Sequence, residues 1–292
     1  MIGEVLAICT ALCWATSPVI YRKTLVGVDL IVANLVRAVP ATILLVTFFS
    51  GSGGLERVLA LDLRNLSLIV ASVVTGQVLG DLLLFKSIME IGASRSSAIF
   101  STHPLFSILL AFLLLNETPS WIILLGGFAI VAGLWLINLS MAGGPRAWSP
   151  KSSLSMLKAL LGAGLWGLTT LILKIVVRDV SPLDTITLRM IVLSLILLLT
   201  IVVSGRLVRL KGLKKTDFCM LGLAGVVALA LGNLLLYTAL RLIGLSVAAP
   251  LSSVAPLFTT LFAVVFLKER VSGGQLIGMT AIFVGTLILM IF

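Results

Sequence analysis

Ten apolar stretches of about 20 residues, joined by turns too short to hold a domain, constrain this chain more than any other feature. They run over 4–21, 30–49, 66–85, 94–115 and 120–139, then 157–177, 183–203, 218–240, 246–267 and 273–292. A hydrocarbon layer about 30 Å thick is crossed by roughly 20 helical residues. Inside it no water bonds the backbone N–H and C=O groups, so each stretch is expected to form a helix, whose bonds are all internal. Composition agrees: with 60% hydrophobic and 11% charged residues, a soluble domain could not cover its surface. A multi-pass protein of the cell (inner) membrane is expected. The first 20 residues carry Glu4 rather than a basic region, and further apolar runs follow at once, so no cleavable leader is expected.

The stretches come in two copies. Sliding 1–140 over 153–292 without a gap gives 35 identities in 140 positions. Trp14 meets Trp166, Arg37 meets Arg189, Arg22 meets Lys174, and Phe85 meets Tyr237. Gly80-Asp81 meets Gly232-Asn233, Ile91-Gly92 meets Ile243-Gly244, and Gly133 meets Gly285. Pro104-Leu105-Phe106 meets Pro256-Leu257-Phe258, and Glu117 meets Glu269. The expected fold is an all-α integral membrane protein of ten transmembrane helices in two five-helix repeats, 1–140 and 153–292, joined by a linker at 141–152. Five is an odd number, so the second copy must enter the membrane from the opposite side. The copies would then be related by a pseudo-two-fold axis in the membrane plane. Inverted repeats of this kind build alternating-access carriers, with the substrate held between repeats near mid-bilayer. Duplication for stability alone would not call for polar residues at mid-membrane depth in both copies.

Both halves resemble the EamA-type repeat of the drug/metabolite transporter superfamily. Trp14 with Pro18, the segment 80–92, and the stretch 253–269 with Gly278 and Gly285 carry the likeness over nearly the whole chain. The resemblance implies ten helices in an inverted-repeat fold, and export or exchange of small metabolites such as amino acids. It also implies a central cavity lined by the third, fourth, eighth and ninth helices. Here those are the runs holding Gln77, Asp81, His103, Asn233, Tyr237 and Ser253.

Charges at membrane depth need a reason, since inserting one costs on the order of 2.5–3.5 kcal/mol. Arg37 lies halfway along its stretch and Asp81 on a neighbouring one. Two readings stand: a structural ion pair, or an arginine for a substrate carboxylate beside an acid that titrates during transport. Arg189 has no matching acid, because Asn233 replaces Asp81; Asp184, five residues before Arg189, is expected to cap the helix or pair with it. An unmatched Arg189 leaves surplus positive charge, which suits an anionic or zwitterionic solute better than a cationic drug.

His103, the single histidine, precedes Pro104. A proline within a helix frees the carbonyl four residues earlier, here Phe100 for Pro104 and Ser252 for Pro256. Kinks are expected at both prolines, facing the cavity, with Ser101, Thr102, His103, Ser252 and Ser253 supplying polar groups. Trp14 and Trp166 lie mid-stretch, away from the interfacial belt, as packing residues or cavity walls. Trp121, Trp135 and Trp148 read as anchors, and Gly76-x-x-x-Gly80 and Gly274-x-x-x-Gly278 as sites of close helix contact. Glu117 and Glu269 sit in tight turns and are expected to cap the next helix near Ser120 and Ser272.

Of the 21 Lys and Arg, 14 lie in or beside the loops after the first, third, fifth, seventh and ninth stretches, counting Lys158 with the fifth, five in or beside the others, counting Lys174 with the sixth, and two are Arg37 and Arg189. The positive-inside rule then puts both termini away from the cytoplasm, opposite to the usual picture of the resembling family. The net charge of +10 is read as membrane orientation, not as a nucleic-acid site. Cys9, Cys13 and Cys219 lie in apolar runs and read as small apolar residues.

A secondary carrier of a small organic metabolite, an amino acid or another zwitterionic or anionic solute, is the leading expectation. A multidrug or cationic exporter of the same fold is the runner-up. An intramembrane enzyme is remote: there is one histidine, no His-Glu-x-x-His and no Gly-x-Ser-x-Gly. No phosphate-binding loop is present, so ATP is not the direct energy source. No cofactor or metal is called for. The expected partners are a small-molecule substrate and the lipid bilayer, with proton coupling through Asp81 or His103, exchange and facilitated diffusion all open. The chain is expected as a monomer or a homodimer.

Overall fold

The computed structural model describes residues 1–24, 29–91, 93–140, 150–206, 213–267 and 271–291, and among them all regular structure is helical. Helices α1 (Ile2–Thr24) and α2 (Leu30–Gly51) precede a short helix α3 (Gly54–Leu59). Helix α4 (Leu63–Ser72) passes through a π-helical segment, Val73–Gly80, into α5 (Asp81–Ile91). Then come α6 (Ala93–Phe100), α7 (His103–Leu115) and α8 (Trp121–Ser140). The second half runs α9 (Pro150–Asp179), α10 (Pro182–Val203), α11 (Lys215–Gly225), a π-helical segment Val226–Gly232, and α12 (Asn233–Leu242). Helices α13 (Leu245–Ser252), α14 (Ala255–Leu267) and α15 (Gly273–Ile291) complete it.

Seven helical spans among the described residues are long and apolar enough to cross a membrane, from Ile31–Gly51 to Gly273–Ile291, and three shorter apolar helices accompany them. The surface is that of a membrane protein: Phe48, Phe112, Phe128 and Phe283 are each more than half exposed. Water would penalise such a surface, whereas lipid tails do not.

Helix starts are capped as their sequences dictate. Asp29 accepts from the amides of Ile31 and Val32, Asp62 from Asn65, and Ser181 from Asp184. Two ion pairs then fix how α2 and α10 lie. Arg57, beyond the end of α2, grips Asp184 at the start of α10 through two bonds of 2.7 and 2.8 Å. Arg206, beyond the end of α10, reaches Asp29 at the start of α2 at 3.0 Å. The two helices therefore run antiparallel. Midway between these pairs, Thr42 and Ser194 share a 2.8 Å hydrogen bond across 152 residues of sequence. The expected Asp184–Arg189 pair does not form, because both carboxylate oxygens of Asp184 are taken by Arg57.

Helices α8 and α15 cross with backbones nearly touching. A methyl group on Gly285 would stand 2.6 Å from the Gly126 carbonyl oxygen, and one on Gly278 2.7 Å from that of Gly133. The expected close contact at Gly278 is thus present, and Gly274 packs on Ser140. Gly76 and Gly80 likewise admit Thr169 and Trp166 of α9.

Three further expectations change. The stretches around Pro104 and Pro256 are not kinked helices but pairs of helices broken at Ser101-Thr102 and Ser253-Val254. Pro104 and Pro256 lie in the first turn of a new helix, where a missing N–H costs nothing. Hydroxyls satisfy carbonyls at the breaks: Ser101 donates to Ser97, Thr102 to Ile99, Ser252 to Ala249 and Ser253 to Pro250. Glu117 caps α13, not the helix that follows it; Ser120 holds the Ile123 amide without it, and Ser272 pairs with Gln275. Lys158 and Lys174, counted above with loops, lie within α9. Trp121 is largely exposed and Trp135 half-exposed. Trp148, Gly92, Arg209, Lys211 and the Lys268-Glu269-Arg270 turn lie outside the described residues, as does the side chain of Arg22.

Candidate functional site

Between the halves lies a cavity of about 720 Å³. Both π segments end on it. A π turn carries an extra residue relative to an α turn and commonly marks functional positions. Here each ends in a glycine followed by a polar residue, Gly80-Asp81 and Gly232-Asn233. The glycines are required by what rests on them. A methyl at Gly80 would lie 2.8 Å from the Trp166 indole, and one at Gly232 3.0 Å from that of Trp14. Each half thus lays its tryptophan on the glycine of the other.

All ten residues singled out above border this cavity: Trp14, Arg37, Gln77, Asp81, His103, Trp166, Arg189, Asn233, Tyr237 and Ser253. Pro256 borders it as well, and Pro104 is buried behind it. Trp166 donates its indole N–H to Asp81 Oδ1 at 2.9 Å. The two tryptophans are therefore packing residues and cavity walls together. Arg37, half-buried, donates to Asn34 Oδ1 at 2.9 Å and lies within electrostatic reach of Asp81. Asn233, the counterpart of Asp81, turns its amide back to the Leu229 carbonyl at 3.0 Å.

Arg189 is placed differently. It is 3% exposed, donates to the Tyr237 hydroxyl, to the Ser72 carbonyl at 3.1 Å and to Gln77 Oε1 at 3.3 Å, and stands 5.6 Å from the Tyr237 ring centre. Its Nε has no partner among the described residues. All its partners are neutral, so the cation is solvated by dipoles and a ring face instead of an acid. His103 stands at the break before α7, its ring 5.7 Å from that of Phe100, with Nδ1 unpartnered among the described residues.

The hydroxyls at the breaks add one chemical bias. Ser252, Ser253, Thr259 and Thr260 all border the cavity, and all donate their proton to backbone carbonyls of their own helices. What they have left to offer a solute is acceptor lone pairs. Arg37, which borders the same cavity, offers donors.

Sequence reasoning missed Asn34, Thr170 and Gln275, which also border the cavity. Asn34 was signalled by its place one helical turn before Arg37. Gln275 carried no signal, lying near the start of an apolar helix. The lining is also wider than the third, fourth, eighth and ninth stretches, since α1, α2, α9, α10 and α15 all contribute.

The sequence pattern of the EamA-like transporter family matches residues 1–139 and, separately, 153–291. An uncharacterized transporter of Archaeoglobus fulgidus is 26% identical over 297 residues, covering 100% of this chain and 99% of its own length. An uncharacterized protein of Methanocaldococcus jannaschii is 32% identical over 139 residues, which are 47% of this chain and 96% of that protein. A solved crystal structure superposes with a TM-score of 0.77 at 16% identity, covering 98% of this chain and 95% of the other, and so shares the fold.

Proposed function

The chain belongs to the EamA-like transporter family, and from that premise we propose that it is a secondary transporter working by alternating access. It would export or exchange a small organic metabolite, an amino acid or another zwitterionic or anionic solute. The observation that carries this is the cavity: about 720 Å³, within the range of small-molecule sites, and bordered by both a cation, Arg37, and an acid, Asp81. Arg37 suits a carboxylate; Asp81 and the acceptor hydroxyls suit an ammonium group.

The proposal includes the layout of ten spans in two inverted repeats, 1–140 and 153–292, with 141–152 between them. Several contacts support it. A residue that meets its own counterpart, as Thr42 meets Ser194, lies on a two-fold axis. Off the axis such contacts come in reciprocal pairs, as do Trp14–Gly232 with Trp166–Gly80 and Gly126–Gly285 with Gly133–Gly278. Counterpart helices α2 and α10 run antiparallel, as inversion requires. The half-length relative from M. jannaschii suits a fold assembled from two copies of one unit.

A cationic-drug exporter is the second reading, favoured by Asp81 between aromatic walls and opposed by the two arginines. Uptake or exchange in proteoliposomes against amino acids, organic acids and cationic dyes, with and without a pH gradient, tests both. Saturable transport of a carboxylate-bearing solute is the expected result. Transport of cationic dyes alone would overturn the zwitterion reading. Thiol labelling of a cysteine introduced near Lys211 reports orientation.

A further inference from the structure

We infer that Glu117, Ser246 and Lys174 form a latch between the two halves that closes one end of the cavity and must open in each transport cycle. The inference rests on the transporter reading.

Glu117 lies in the turn after α7, in the first half, yet its carboxylate is spent on the second. Oε1 accepts from the Leu245 amide at 2.9 Å; Oε2 accepts from the Ser246 amide at 3.0 Å and the Ser246 hydroxyl at 2.6 Å. These amides open α13, where helical N–H groups lack internal partners and the helix end is partially positive. Lys174 of α9 takes the other side of the same turn, donating to the carbonyls of Leu240 and Ile243 at 2.6 Å each. The connection from α12 to α13 is therefore held by an acid on one helix start and an ammonium on the other helix end. Gly244 sits between them, and a methyl there would stand 3.1 Å from Glu117 Oε2.

Beneath the latch the protein is dry. Leu240, Leu245 and Ala248 are each 0% exposed and pack with Leu115 and Leu173. The inner side of this layer, at Leu173 and Ala249, borders the cavity. A solute can leave at this end only if α13 separates from α7. The apolar layer can slide and re-pack, but the three hydrogen bonds to Glu117 must break.

The sequence argues that this is a working part and not an ordinary cap. Only 35 of 140 positions are identical between repeats, a quarter of them. Yet the positions that act here through a side chain, or through its absence, are kept: Glu117 and Glu269, Ser246 and Ser94, Gly244 and Gly92, with Lys174 answered by Arg22. Of the residues that lend the latch their backbone, Ile243 is kept as Ile91, while Leu240 and Leu245 have drifted to Ile88 and Ala93. An alternating carrier needs a closure for each end, and closures drawn from one repeat unit would be duplicated in this way.

The test reads accessibility, so it needs no solute, and a failed solute panel and a failed latch are separate results. Cys9, Cys13 and Cys219 are replaced by serine and a single cysteine is introduced as Ala248→Cys, in the dry layer. Its reaction with a membrane-impermeant thiol reagent is timed in detergent-free nanodiscs. Glu117→Ala should speed labelling at least tenfold, and Ser246→Ala, which removes one hydrogen bond of three, about threefold. A cysteine introduced as Ile130→Cys, equally buried but under α15, should stay unreactive in both variants. Unchanged labelling at position 248 would overturn the latch. So would an equal rise at position 130, which would mean general loosening.

Discussion

Arg37 and Arg189 align when one half of the sequence is laid on the other, yet they sit in different surroundings. Arg189 is buried, tied to Tyr237, Ser72 and Gln77, and helps to build the wall. Arg37 is half-buried, bonded to Asn34, and faces a cavity in which Asp81 supplies the opposite charge. The difference follows from their neighbours. Where the first half has Phe85, the second has Tyr237, whose hydroxyl and ring engage Arg189. Where the second half has Asn233, the first has Asp81. Two substitutions nearby thus leave one copy of a duplicated cation tied into the wall and the other beside an acid at the cavity, where the proposed transport would need it.

The largest effects should separate these two arginines. Arg37→Ala should reduce transport of the identified solute by roughly 10–150-fold, the equivalent of a charged hydrogen bond of about 1.5–3 kcal/mol. Its melting temperature should stay within about 2 °C of the parent. Arg189→Ala takes the donor from the buried Tyr237 hydroxyl, at about 1–3 kcal/mol, together with the contacts to Ser72 and Gln77, and should lower the melting temperature by about 5 °C or more. Exchanged outcomes would break the comparison.

Asp81→Asn makes the first half resemble the second. Uptake of zwitterions should fall about tenfold while that of simple anions is spared, measured by competition in proteoliposomes. Equal loss for both would mean that Asp81 does not meet the ammonium group. Trp166→Phe keeps the ring and removes the bond to Asp81, for an expected loss of about three- to tenfold. Trp14→Phe, in the half-site where Asn233 stands in place of an acid, should change uptake less, and a larger change there would reverse the assignment.

Smaller effects belong to parts that both halves share. Thr42→Val deletes the hydrogen bond to Ser194 and should cost about 1 kcal/mol, read as a fall of about 2–4 °C in melting temperature. At Glu117 burial raises the carboxyl, but the Ser246 hydroxyl, the two amides and the nearby Lys174 charge outweigh it, and its pKa lies below the usual 4.5. A depressed value means that the stabilisation is complete above the unfolded value and lost only as pH falls through the folded one. Labelling at position 248, taken relative to a fully exposed control cysteine so that the falling thiolate fraction cancels, should therefore be flat from neutral pH to about pH 5 and rise only below the ordinary glutamate range. A rise near pH 6 would show that Glu117 is not held as described.

What the sequence made legible, and what it hid, have one physical source. A charged or polar residue in mid-bilayer is expensive enough that it must be placed where water or another polar group reaches it. Hence Arg37, Asp81, His103 and Asn233 could be picked from an apolar background, and all border one cavity. Features that cost little left little trace. The breaks before Pro104 and Pro256 sit inside mainly apolar runs, and the prolines and the hydroxyls beside them signalled carbonyls in need of donors without distinguishing a break from a kink. The π segments have no residue type of their own. Glu117 reaches a partner 128 residues away, and Asp184 is taken by an arginine of the short helix α3, so nearest-neighbour reasoning missed both.

The widened turns before Asp81 and Asn233 make the length of a helix part of its chemistry. One residue advances an α-helix by about 100° of rotation. Dropping a single residue between Val73 and Gly80 would tighten that turn, swing Asp81 round toward a neighbouring helix and release the Trp166 indole. On the proposed transporter reading, gain or loss of one residue would be a coarse dial for cargo preference, besides the fine one of exchanging side chains.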